Sequence, residues 1–327
     1  MSFKVLIPQD ITDPGKDYLK EHGCEIEILD DHSVENICKH VVDADAILAR
    51  TADYPAAVFE AGKKLKVIAR HGAGVDNFDI DAATAHGVWV CRAPIANSNS
   101  VAEHTMMMIL ACAKNTILQD KACRAADYNS RNRVKGMELE GKVLGLIGCG
   151  HIGQLVAKKA AYGFGMKVVG YDAYADPAKL PDYIELRDNM DDVYKEADFV
   201  SLHVPLNDET RGMVNKDVME HKMKNTAYVI NCARGGIVDE KDLYDAVTSG
   251  AIAGAGLDVF VAEIEDPNRP LDPECPLFKL DKVVVSPHNA ALTKEAADRM
   301  GLHAAQGIIE VLTGKVPTWP VNKIKKK

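Results

Sequence analysis

A chain of 327 residues, 47% apolar and 27% charged, has enough apolar surface for two ordinary cores and too much for disorder. Its formal charge of −9 gives no field to gather nucleic acid or an acidic membrane, and its one basic cluster, Lys323 with residues 325–327, reads as a solvated end. The first apolar run is too short for a signal peptide, and the longest inside, residues 106–113, falls far below the ~20 residues that span a bilayer. Eight cysteines lie singly with no C-x-x-C, so reduced thiols in a cytoplasmic protein are expected, with neither disulfides nor a metal site.

In chain order, "FKVLI", "CEIEIL", "ADAILAR", "KLKVIAR" and "GVWVC" read as buried strands. Helical stretches such as 14–22 and 79–86 separate them, which predicts a parallel, doubly wound sheet. A helix over about 98–115 follows, its 106–113 run expected to be buried, and then a polar stretch, "DYNSRNRVKGMELEG". The cadence restarts at "KVLGLIG" and continues through "MKVVGYD", "DFVSLHV", "TAYVINCA", "IAGAGLDVF" and "KVVVSPH". A last helix spans about Lys294–Leu312. Two α/β sheets in series are therefore expected.

The second sheet opens on "GLIGCGHIGQ", where Gly148, Gly150 and Gly153 stand as G-x-G-x-x-G between a predicted strand and a predicted helix. In that setting the first glycine permits a sharp turn and the second lets a pyrophosphate approach the backbone. The third lets helix pack on strand, with the amides of the helix start, around His151 and Ile152, facing the anion. The next strand ends at Asp172, about 20 residues on, where an acid accepts hydrogen bonds from ribose hydroxyls and repels a 2′-phosphate. No Arg or Lys occupies 173–176, so the expected cofactor is NAD, not NADP.

Carbonyl reduction beside such a cofactor needs a cation for the substrate, a near-neutral acid, and a carboxylate that keeps the acid protonated. Three successive strand ends of the second sheet carry Arg234, Glu263 and His288. Each alone is as readily a surface or turn residue; together, at the edge where doubly wound sheets bind ligands, they suit that chemistry.

These residues resemble the NAD-dependent D-2-hydroxyacid dehydrogenases over nearly the whole chain. "RHGAGVDNFDIDAA", "NSNSVAEHT", "GLIGCGHIG", "INCARGGIVDE", "GLDVF" and "SPHNA" stand in family order and spacing. The resemblance implies a flavodoxin-like substrate domain, 1–98 plus 293–327, and a Rossmann NAD-binding domain, 99–292, with the active site in the cleft between them. It implies that Arg234 binds the substrate carboxylate and carbonyl. His288 is then acid in reduction and base in oxidation, with Glu263 hydrogen-bonded to it. Asp258 is implied to contact the nicotinamide carboxamide, with Cys232 and Ala233 lining its pocket. His203, Pro205 and Thr210, in "LHVPLNDETRGMVN", are implied beside the adenosine. Backbone amides around Ala73 and Gly74 are implied to cradle the substrate carboxylate. A homodimer is also implied, with the 98–115 helix at its interface. Ile264 after Glu263, where the family usually has proline, and Asn289 after His288 bear on substrate choice.

The turn "HGAGVDN" is closest to the phosphoglycerate and hydroxypyruvate/glyoxylate branch. Arg50 and Arg70 are candidates for a second anionic group, a phosphate, or else plain strand-end arginines. Ile95, where phosphoglycerate dehydrogenases often have a polar residue, tilts the expectation toward hydroxypyruvate or glyoxylate. A short-form D-3-phosphoglycerate dehydrogenase is the alternative, without serine feedback because the chain stops after "VPTWPVN". A reading from another class is an NAD-sensing co-regulator with little turnover, against which the lack of long unstructured tails counts.

Overall fold

The computed structural model describes residues 2–265 and 271–324, so the lysines at 325–327 lie outside the described residues. The chain divides into two compact units, Met1–Ser98 with Ala291–Lys327, and Asn99–Ala290. Among the described residues, no helix is long and apolar enough to cross a membrane.

In the first unit β1 (Phe3–Ile7), β2 (Cys24–Ile28), β3 (Ala46–Ala49), β4 (Val67–Arg70) and β5 (Trp89–Cys91) form one parallel sheet. Their order is β2-β1-β3-β4-β5, the flavodoxin-like arrangement. Alternate side chains serve opposite faces. Leu6, Ile47, Ile68 and Val90 enter one core cluster, and Val5, Ile7, Leu48 and Val67 the other. Both sets are fully buried, as a parallel sheet covered on two sides requires. The helix Lys294–Leu312 returns to this unit and seats Ala304, Ala305 and Ile308 in the second cluster. The second unit runs to Ala290. Ala290 stays with the second unit because its N–H donates to Asp258 and its carbonyl accepts from Ser100.

The second unit has β6 (Val143–Ile147), β7 (Lys167–Tyr171), β8 (Glu185–Leu186), β9 (Phe199–Leu202), β10 (Tyr228–Asn231), β11 (Gly254–Leu257) and β12 (Val283–Val285). They pair in parallel in the order β12-β11-β10-β9-β6-β7-β8, a dinucleotide-binding sheet with one added edge strand. Two-residue β8 is too short to announce itself in the sequence. The long helix is Ser98–Ala113. It ends where Asn115 turns left-handed (φ 52°), and a further helix, Thr116–Arg124, follows that the sequence reading lacks. The 106–113 run is buried on one face only. Met106, Met108, Ile109 and Cys112 pack with Leu144, Leu146 and Ile230, while the 3.6-residue period turns Met107 outward, 43% exposed.

Candidate active site

β6 delivers the glycine loop. Gly148 (φ 97°) donates its N–H to Tyr171 O at 2.8 Å, laying the loop over the end of β7. A Cβ on Gly148 would lie 2.7 Å from the His203 carbonyl oxygen, and one on Gly153 2.4 Å from Gly148 O. One on Gly150, the N-cap of the helix His151–Phe164, would meet nothing within 4 Å. Two glycines are thus demanded by the turn and by close approach, while the third opens a hollow over the helix N-terminus. That hollow suits a pyrophosphate, with exposed His151 and half-buried Ile152 in the first turn.

Asp172 follows β7 directly. Its Oδ2 accepts from Cys149 N at 2.8 Å and its Oδ1 from Tyr174 N at 2.9 Å, so the expected ribose acid stands against the glycine loop. His203, expected beside adenosine, supports the loop from below. Its N–H reaches Ile147 O at 2.8 Å, its Nε2 lies 2.9 Å from Ser201 Oγ, and burial pushes its pKa down to about 4. Thr210 Oγ1 donates to Pro205 O at 2.6 Å and closes the 205–210 loop.

β10 delivers the cation. Asn231, 2% exposed, accepts from Ala233 N at 3.0 Å through Oδ1 and donates to Arg234 O at 2.9 Å through Nδ2. This residue, passed over in the sequence, builds the turn that presents Cys232, Ala233 and Arg234; an Asn at a strand end was the available signal. Arg234 Nη1 donates to Ala233 O at 2.8 Å. Burial pushes the Cys232 thiol up to about 12, which makes it a poor nucleophile near neutral pH.

β11 and β12 deliver the acid and its partner. Glu263 sits on the helical turn Ala262–Glu265 and is anchored by Phe260 N, which donates to Oε1 at 2.7 Å. Its Oε2 accepts from His288 Nδ1. A carboxylate accepts only, so Nδ1 carries a proton and the ring's exchangeable proton toward a substrate is the one at Nε2. The His288 side chain is 48% exposed, that of Glu263 19%. His288 holds φ 51°, uncommon for a residue with a Cβ, and donates its N–H to Asp258 O at 2.7 Å.

Asp258, expected at the nicotinamide carboxamide, follows β11 directly. Its side chain is fully buried, with Oδ1 accepting from Ser286 Oγ and Asn289 N and Oδ2 from Ala290 N. It therefore faces the loop that carries His288.

In the first unit, Gly72 (φ 141°) opens the turn holding half-buried Ala73 and Gly74. Arg70 donates to Gly74 O at 3.0 Å and His71 O at 2.9 Å, and Arg50 to Asp10 O at 2.7 Å. Arg70 thus braces the loop after its own strand, and Arg50 the loop after β1.

Residues 106–290 match the family model for the D-isomer specific 2-hydroxyacid dehydrogenase NAD-binding domain. The chain is 40% identical over 322 residues to the D-3-phosphoglycerate dehydrogenase of Methanocaldococcus jannaschii, covering 98% of this chain and 59% of that one. It is 40% identical over 291 residues to the hydroxypyruvate reductase of Thermotoga maritima, 88% of this chain and 92% of that one. The crystal structure of D-lactate dehydrogenase with NAD+ from Lactobacillus jensenii superposes with a TM-score of 0.84 at 28% identity, over 98% of this chain and all of that one. The chain thus spans about three fifths of the length of the phosphoglycerate dehydrogenases it matches.

Proposed function

Because this chain belongs to the D-isomer specific 2-hydroxyacid dehydrogenases, we propose that it interconverts a small 2-keto acid and its D-2-hydroxy acid with NAD(H), hydroxypyruvate or glyoxylate being the substrate. The observation that carries the reading is the doubly anchored Glu263 bonded to His288 Nδ1, beside Arg234 on a neighbouring strand end. The glycine hollow with Asp172 fits NAD, whose nicotinamide supplies the hydride when bound.

The side chains do the rest. Arg234 aligns the keto acid through its carboxylate and draws electron density toward the carbonyl oxygen. His288 gives its Nε2 proton to that oxygen as negative charge develops, and Glu263 holds the resulting ring in place and balances the charge it carried. In oxidation Nε2 takes the hydroxyl proton back. The engagement of Arg50 and Arg70 with carbonyls supports an unphosphorylated substrate over a phosphorylated one.

A groove of about 610 Å³ lined by Met106, Met107, Leu110, Ala111 and Phe164 supports a homodimer through the Ser98–Ala113 helix. The eight unpaired thiols support a reducing, cytoplasmic setting.

The deciding experiment follows NADH oxidation against hydroxypyruvate, glyoxylate, pyruvate, a branched 2-keto acid and 3-phosphohydroxypyruvate. The highest kcat/KM is expected for hydroxypyruvate or glyoxylate. A preference for the phosphorylated acid would make the chain a phosphoglycerate dehydrogenase and return Arg50 and Arg70 to the substrate. Tight NADH binding without turnover of any of them would favour the sensor.

A further inference from the structure

We propose that Ser100 and His104 are positioning residues that clasp the His288 loop in its working shape, an inference that rests on His288 being the acid. The two stand four residues apart, hence on one face of the helix Ser98–Ala113. Ser100 Oγ donates to Ala290 O at 2.6 Å. His104 Nε2 lies 2.9 Å from Ser286 Oγ. One rigid helix therefore holds both ends of the 286–290 segment.

The direction of the second bond follows from proton counting. Ser286 has one hydroxyl proton and gives it to the Asp258 carboxylate, which can only accept. Its oxygen must then accept from His104, which fixes His104 as the tautomer with hydrogen on Nε2. The chain runs from His104 through Ser286 to Asp258, and Asp258 in turn holds three successive amides. His288 N donates to its carbonyl, Asn289 N to Oδ1 and Ala290 N to Oδ2. The left-handed backbone at His288 lies at the centre of this arrangement. Without the clasp that backbone relaxes toward a commoner conformation, and the ring turns away from Glu263.

The consequence belongs to turnover and not to cofactor affinity, because neither residue lies in the glycine loop. His104→Phe keeps the ring's bulk and removes the donor; His104→Gln restores an N–H at similar reach. The Phe variant should lose about 10- to 100-fold in kcat with NADH Kd nearly unchanged, the cost of about an ångström of misplacement. The Gln variant should recover most of that loss. Ser286→Ala added to His104→Phe should cost little more, since both break one chain.

Hydrogen–deuterium exchange gives a readout independent of activity. A peptide spanning 284–292 should exchange faster in His104→Phe and in Ser100→Ala, with melting temperatures near that of the unaltered protein. Unaltered kcat and exchange in the Phe variant would overturn the proposal, as would equal losses in the Phe and Gln variants. If the unaltered protein turns over no keto acid, the functional reading fails while exchange still decides the clasp: faster exchange upholds it, and no change sinks it.

Discussion

At the scale of single residues, the acid and the glycine loop make opposite demands on a substitution. His288→Ala removes the proton donor and leaves the nucleotide hollow intact. Its kcat should fall by about 10²- to 10⁴-fold, with NADH Kd, read by fluorescence quenching, close to unchanged. Gly153→Ala should do the reverse: a Cβ 2.4 Å from the Gly148 carbonyl forces the loop open. Titration should then show NADH binding weakened at least about tenfold. Asp172→Ala should narrow the preference for NADH over NADPH; a cofactor ratio equal to that of the unaltered protein would remove Asp172 from the ribose. The glycines, Arg234, Glu263 and His288 stand out in the sequence because each falls in or just after the segment that follows a strongly patterned strand. Asn231, Asp258 and His104 do not, because what they do depends on partners that only tertiary structure supplies. Asp258 shows this best: "GLDVF" tells that an acid follows a strand, but not that its carboxylate is spent on Ser286, Asn289 and Ala290.

Among the elements, the strands were read well, since buried parallel strands are continuous β-branched runs bounded by polar segments. The region after Asn115 was read poorly. A left-handed Asn breaks the helix without Gly or Pro to mark the break, and the turn of chain beyond it is too mixed in polarity to show a period. The same helix explains why an apolar run proved only partly buried: one face fills the core while Met107 stands outside. If the groove around Met107 is where a second copy sits, Met107→Glu should shift the protein toward monomer in sedimentation velocity while the isolated fold, judged by circular dichroism, is kept. A dimer unaffected by that charge would place the interface elsewhere.

For the whole molecule, acid is the condition to watch, because each unit keeps a histidine neutral. Burial, with the charge of Arg50 nearby, lowers the pKa of His71 to about 4, and burial does the same to His203. In the unfolded chain both titrate near ~6.5. Between those values the unfolded state binds more protons, so stability is full above about pH 6.5 and declines as pH falls toward 4. His71 alone accounts for about 2 kcal/mol of that decline. Urea unfolding at pH 7 and pH 4.5 measures it, and His71→Asn should flatten the slope.

The chain leaves the first unit once and returns once, and the second unit is an unbroken stretch between. Ser100, at its beginning, is hydrogen-bonded to Ala290, at its end. Seen from the first unit, the entire cofactor-binding half is an excursion that comes back to where it set out. Closing a gap between neighbouring ends costs little entropy and depends weakly on what is looped out, each doubling of length adding only about 0.6 kcal/mol. Such a segment can be exchanged for a homologous one with little penalty to its host. The glycine loop, Arg234, Glu263 and His288 all lie within this one stretch, so it is heritable as a single module, open to recombination as well as to point substitution.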